Sequence, residues 1–217
     1  DWRIEGQDLQ MAKKGHSGAE AITISFYMKA QDAKVYVIEL SDIDNTRHIA
    51  QTFTSATSWT QHVLSFAGDT TGKFDNDNAE SLRVRMWLHA GATYTGGTLA
   101  SSWAATNNAN SAAGIGSFFD NTDNDIKISG MQLEIGSYTT STIPSFQHES
   151  YGESFGRCQT LIIQWREPEW DYSLQPLGQL QLLHSQEHLA GSIAIVINQR
   201  VPLLVQPILI LIVLNVM

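Results

Sequence analysis

Cysteine is almost absent from this chain: Cys158 is the only one in 217 residues. No internal disulfide and no cysteine-based zinc site can form, so the fold does not rely on oxidising conditions. Charge is scarce too, at 16% of residues, and it leans acidic, with a net charge of -9. Without a basic stripe to displace counterions, duplex nucleic acid is argued against as a partner, and an anionic membrane surface is disfavoured. No helical period of useful length appears before residue 150, and no short tandem repeat is evident. The opening residues, DWRIEGQDLQ, hold neither a basic n-region nor an apolar h-region, so no signal peptide is expected. There is no initiator Met, and the chain is expected to begin inside a longer open reading frame.

What the chain does have is an apolar share of 42%, enough for a core, and an abundance of Thr, Ser, Asn and Gly. That balance suits an all-β protein with turn-rich loops. Residues 125–136 organise the rest. Ile126 and Ile128 alternate with polar neighbours, the phase slips at Ser129 and Gly130, and Met131, Leu133 and Ile135 continue the apolar set. Alternation with a one-residue slip at Gly predicts a bulged strand. In residues 20–30, Ile22, Ile24, Phe26 and Met28 face one way and Thr23, Ser25, Tyr27 and Lys29 the other. The run KVYVIEL (34–40) is β-rich on both faces and reads as a central strand. Strands are also expected at 47–54, 58–66 and 80–90, the last with Leu82, Val84, Met86 and Leu88 inside and Arg83, Arg85, Trp87 and His89 outside. Residues 91–124 form a long polar loop carrying Tyr94 and Trp103; such a loop is usually functional or packed across a sheet end. Short strands with turn chemistry between them predict a two-sheet sandwich or jelly roll.

The order RIEGQDLQ, KKGHSGAEAITISFYMKA, FAGDTTGKFDNDNAESLRVRMWLHAG, GTLASSWAATNNAN and ISGMQLEIG closely resembles a family of jelly-roll domains in bacteriophage and marine viral-metagenome proteins. Members are described as tail, virion or carbohydrate-binding-module-like. The similarity runs from about residue 3 to residue 159 of 217. It implies an antiparallel two-sheet β-sandwich of jelly-roll type over residues 1–157, lacking the strands that precede RIEGQ in the family. It also implies a non-catalytic tail or appendage surface domain located in the virion, assembled from host cytoplasm. The expected partners are host-surface glycan, other virion subunits and further copies of the chain, as a homo-oligomer and in the virion a trimer. A purely structural subunit-interaction domain is the alternative.

Candidate binding residues are Trp59, Trp87, Tyr94 and Trp103, whose flat rings could stack on sugar while nearby amides and carboxylates bond hydroxyls. The competing reading packs these rings under the 91–124 loop or against a neighbouring subunit. Asp42, Asp44, Asp75, Asp77, Asp120, Asp123 and Asp125 cluster in three loops, but none has EF-hand spacing, so solvated turns are expected and no metal or cofactor is assigned; a structural Ca²⁺ has no motif behind it. Gly152-x-Ser154-x-Gly156 fits the nucleophile-elbow pattern, with Asp171 and His184 or His188 following in hydrolase order. The residues around it show neither the preceding strand nor the following helix that the motif needs, and a serine hydrolase is the remote alternative. The seven histidines contain no H-E-x-x-H, and no enzyme is expected.

Residues 158–217 read as an atypical tail, rich in Leu, Ile and Val at its end. Its apolar stretch is interrupted by Arg200, Pro202 and Pro207, so a membrane span is not expected. The family continues past its Cys-Gln with an aromatic, Gly/Ala/Thr-rich β segment, and residues 160–173 can be rewritten through permitted codons in another frame to resemble it. A reading-frame error just after Gln159 is therefore expected.

Overall fold

Period-two runs of β-branched and aromatic residues build two antiparallel sheets. The structure is a computed structural model that describes residues 1–147, Ser150, Gly152 and the backbone of 212–215. The boundary at 157, Ser154, Gly156, Cys158, Asp171, His184, His188 and the frame change after Gln159 lie outside the described residues. One compact unit comprises 1–149 and 199–217; the other, 150–198, is almost wholly outside the description.

In chain order the described strands are β1 (Trp2–Glu5), β2 (Ile22–Ala30), β3 (Val35–Asp42), β4 (Arg47–Thr54), β5 (Thr60–Phe66), β6 (Glu80–Trp87), β7 (Ala104–Ala105), β8 (Asp125–Ile135) and β9 (Ile212–Asn215). One sheet has the order β1-β6-β3-β4-β7 and the other β5-β2-β8-β9. This is an all-β sandwich. A 3-10 helix, Gly6–Ala12, follows β1, and a single helical turn, α1 (Ala92–Thr95), follows β6. Among the described residues no helix is long and apolar enough to cross a membrane.

The core fills the space between the sheets. Ile22, Ile24, Phe26 and Met28 of β2 meet Tyr36, Ile38 and Leu40 of β3, with Ile49 and Phe53 of β4 and Leu82 and Val84 of β6. Phe26 and Phe53 pack edge to face with centroids 5.1 Å apart. Each such buried ring or aliphatic side chain contributes roughly 1.5–3 kcal/mol relative to exposure. The slip in β8 is a bulge: Ser25 pairs with Gln132 and Tyr27 with Ser129, so Gly130 and Met131 together oppose Phe26. Gly130 sits at φ 62, the left-handed region that glycine enters without Cβ strain. The strand that is β-rich on both faces, β3, is central, hydrogen-bonded to β4 and β6.

Both outer faces are partly covered. Residues 136–144 lie against β2 and β8, where the Thr23 hydroxyl donates to the Gly136 carbonyl at 2.7 Å and Gln132 donates to the Pro144 carbonyl at 3.2 Å. That cover buries Thr23, Ser25, Gln132 and Glu134 on the polar face of the sheet. On the other sheet the segment 91–124 runs along β4 and over the outer face, tied by Ala50 N–H to Ala100, Gly116 N–H to Val35 and Phe118 N–H to Leu88. It is less irregular than its composition predicts, holding α1, β7 and two short 3-10 turns.

Candidate functional site

On the outer face of the β3–β4–β6 sheet, a polar cluster forms where sequence alternation places side chains away from the core. The register sets Glu39 of β3 opposite Arg85 of β6 and opposite Ala50 of β4, diagonal to His48. Beneath the 91–124 segment Glu39 is 1% exposed and His48 0%. His48 Nδ1 donates to Glu39 Oε1 at 2.8 Å; Trp87 Nε1 and Arg85 Nη1 donate to Oε2 at 2.8 and 3.1 Å. Burial alone would raise the Glu39 pKa. Hydrogen bonds from His48, Trp87 and Ser111, with the Arg85 charge, outweigh it and hold the carboxyl below its ordinary value. His48 Nε2 accepts the Asn107 backbone N–H at 3.4 Å, which places the imidazole proton on Nδ1. A carboxylate–imidazole dyad is thus completed by a loop amide where a hydrolase would set a hydroxyl. Its effect is to fasten the loop to the sheet.

The four sequence-predicted aromatics do not converge. Trp87 and Tyr94 come together, centroids 5.0 Å apart at 40°, with the Arg85 guanidinium 5.3 Å from the Trp87 ring. Both rings are half-buried. Trp103 is elsewhere: its indole donates to the Ala67 carbonyl at 2.7 Å, its own carbonyl accepts from Arg47, and Lys14 Nζ lies 5.4 Å from its ring. Trp59 is 47% exposed and precedes β5, whereas Ala67 follows it. A seven-residue strand spans roughly 23 Å, so Trp59 and Trp103 cannot serve one sugar ring.

The acidic loops resolve into turn caps and ion pairs. Asp44 accepts the Asp75 N–H and Asp77 the Ala79 N–H. Asp120 is bonded by Lys34 and Asn124, Asp125 by Lys127, and Asp123 is exposed in its turn. Asp42 departs from the expected solvated turn. It is 1% exposed because Lys14 Nζ reaches it at 2.5 Å, and Lys14 also pairs with Asp69 at 3.1 Å and donates to the Thr71 and Gly72 carbonyls. Arg47 closes the network on Asp69 at 2.7 Å. Against the effect of burial, hydrogen bonds from Arg47, Thr71 and Lys14 lower the Asp69 pKa. Among the described residues no three His, Cys, Asp or Glu side chains gather as metal ligands. Of the G-x-S-x-G pattern only Gly152 is described, and it is exposed.

Sequence reasoning passed over Glu39, His48, Lys14 and Asp69. Glu39 carried a usable signal: a carboxylate inside the run KVYVIEL, β-rich on both faces and read as a central strand, must be buried and must find donors. Lys14 and Asp69 carried none, since their meeting depends on two loops 55 residues apart in a chain of 217. Comparison with protein-family models, with curated proteins and with solved structures finds no match.

Proposed function

We propose that this chain is a non-catalytic surface domain of a phage virion, carried on a tail or appendage, that binds host-surface carbohydrate through Trp87 and Tyr94. The motif order from RIEGQDLQ to ISGMQLEIG supports the virion setting, and the two-sheet sandwich is a scaffold suited to it. The observation that carries the binding reading is the fixed orientation of Trp87. Its indole N–H is held by a buried carboxylate, its ring lies near Arg85, and Tyr94 stands 5.0 Å away. A ring already locked in place loses little entropy on stacking. Each stacked ring contributes on the order of 1 kcal/mol, so one domain binds near the millimolar range and adhesion depends on many copies.

A second reading is a structural one, in which the rings serve subunit contacts. The indole N–H groups of Trp87 and Trp103 are both bonded inside the domain, and Trp59, the most exposed tryptophan of the three, suits a contact between copies. A glycan array probed with a multimerised protein separates the two. Binding is expected for the parent and for Trp59→Ala, and lost in Tyr94→Ala and Trp87→Phe. If no glycan is retained, or the Tyr94 and Trp87 variants bind like the parent, the structural reading stands. Light scattering then tests its premise, with a trimer mass expected and a monodisperse monomer at high concentration counting against it.

A further inference from the structure

A separate pocket lies between the 3-10 helix Gly6–Ala12, the turn that follows it and the loop around Lys73. Its volume is about 130 Å³, below that of drug-sized clefts and fit for a single ring. Leu9 and Phe74 contribute its apolar part, and Gln10, Lys13, Lys14, His16 and Lys73 the polar part. In a chain of net charge -9 three lysines gather here, with Asp42, Asp69 and Glu20 as carboxylate neighbours of two of them.

The charges are not all compensated. Lys14 is neutralised by Asp42 and Asp69, and Lys13 pairs with Glu20 at 3.1 Å in a half-exposed bridge that solvent weakens. Lys73 and His16 are exposed and make no side-chain hydrogen bond or ion pair among the described residues. The turn is tightly shaped, with Lys13 at φ 49 and Gly15 at φ 82, and a Cβ on Gly15 would fall 2.7 Å from the Gly72 carbonyl. The two cation-bearing loops are thus held against each other by backbone. Gln10 is oriented as well: its Nε2 donates to the Gly6 carbonyl at 2.8 Å and the Asp75 carbonyl at 3.2 Å. That leaves Oε1 to accept from a hydroxyl.

We infer that this pocket takes one acidic sugar residue of the uronic-acid class, its carboxylate held by Lys73 and Lys13 and a ring hydroxyl donating to Gln10. The site extends the carbohydrate reading but stands on residues far from Trp87 and Tyr94 in sequence and contact, so each can fail without the other. The test is a titration of the isotope-labelled full chain with sodium glucuronate, glucose and sodium sulfate at constant ionic strength, followed by amide NMR. Glucuronate is expected to shift the Gly15, His16 and Lys73 amides saturably, and the double variant Lys13→Gln/Lys73→Gln to bind roughly five-fold more weakly. An unchanged melting temperature in that variant shows that exposed lysines, not the fold, account for the loss. The inference is overturned if glucuronate gives no saturable shifts or if glucose matches it. It is equally overturned if sulfate alone does as well, or if the double variant binds like the parent. Glucuronate binding that survives Trp87→Phe, with the array silent, leaves this pocket standing and removes the Trp87–Tyr94 platform.

Discussion

Two buried carboxylates, Glu39 and Glu134, differ in the donors they meet. Glu39 receives hydrogen bonds from an imidazole, an indole and a guanidinium. In Glu39→Gln one carboxylate oxygen becomes an NH₂ that confronts those donors, and Arg85 is left with Asp1 at 3.3 Å as its carboxylate partner. The expected cost is about 3 kcal/mol, read as a lower urea midpoint, with faster hydrogen exchange at Asn107 as the loop loosens. Glu134, 2% exposed, has one side-chain donor among the described residues, Gln132 Nε2 at 2.6 Å. Burial therefore dominates and raises its pKa above 4.5. A raised folded-state pKa gives stability that is present below the unfolded value and lost as pH rises through the folded one. That contribution declines as pH rises, so Glu134→Gln is expected to gain on the parent with rising pH, by about 1 kcal/mol once the carboxyl is ionised. A drop in its midpoint at pH 7 would show that the charge is better satisfied than this.

At the scale of elements, the bulge in β8 carries the sheet's register past Phe26. Gly130 has room for a methyl group, with Tyr27 Cδ2 at 3.4 Å as the nearest atom, so the cost of a side chain comes from φ 62. Gly130→Ala is expected to lose about 1 kcal/mol and Gly130→Val about 2 kcal/mol, both by denaturant melts. Equal stability in all three would mean that the bulge relaxes into regular pairing. This element was legible in the sequence because a phase slip at glycine has one simple structural meaning. The central position of β3 was legible for a similar reason, its run KVYVIEL being β-rich on both faces. What lay beyond reach was the covering of the outer faces. Alternation says which side chains leave the core, but whether water or another segment meets them is decided by loops whose polar composition carries no address. Trp87 shows the consequence: it was correctly put on the outer face, while its partners Glu39 and Tyr94 come from a strand and a loop that only the fold brings to it. The Trp59–Trp103 separation was hidden for the same reason.

Across the whole molecule, titration sets the limits of stability at both ends of the pH range. Burial lowers the His62 pKa below 6.5, and Glu39 and Asp69 are held below 4.5 and 3.8. Each of these depressed values contributes stability above its unfolded pKa that is lost as pH falls, so the urea midpoint should decline from about pH 6.5 and more steeply below 4.5. At the alkaline end one buried phenol carries a large shift. Tyr36 is 1% exposed in the core, and burial, with Asp120 and Asp32 adding to it, pushes its phenol from 10 up to about 12. Because the unfolded chain ionises first, stability is full below pH 10 and falls between 10 and 12, by on the order of 2–3 kcal/mol. The parent's decline alone does not identify the group. Tyr36→Phe does, since it removes the phenol and keeps the ring packed against Phe53. Its urea midpoint is expected to stay within about 1 kcal/mol of the parent at pH 8, and then to hold between pH 10 and 12 where the parent falls. Parallel decline of the two proteins would place the alkaline limit on other groups and leave the Tyr36 phenol without a part in it.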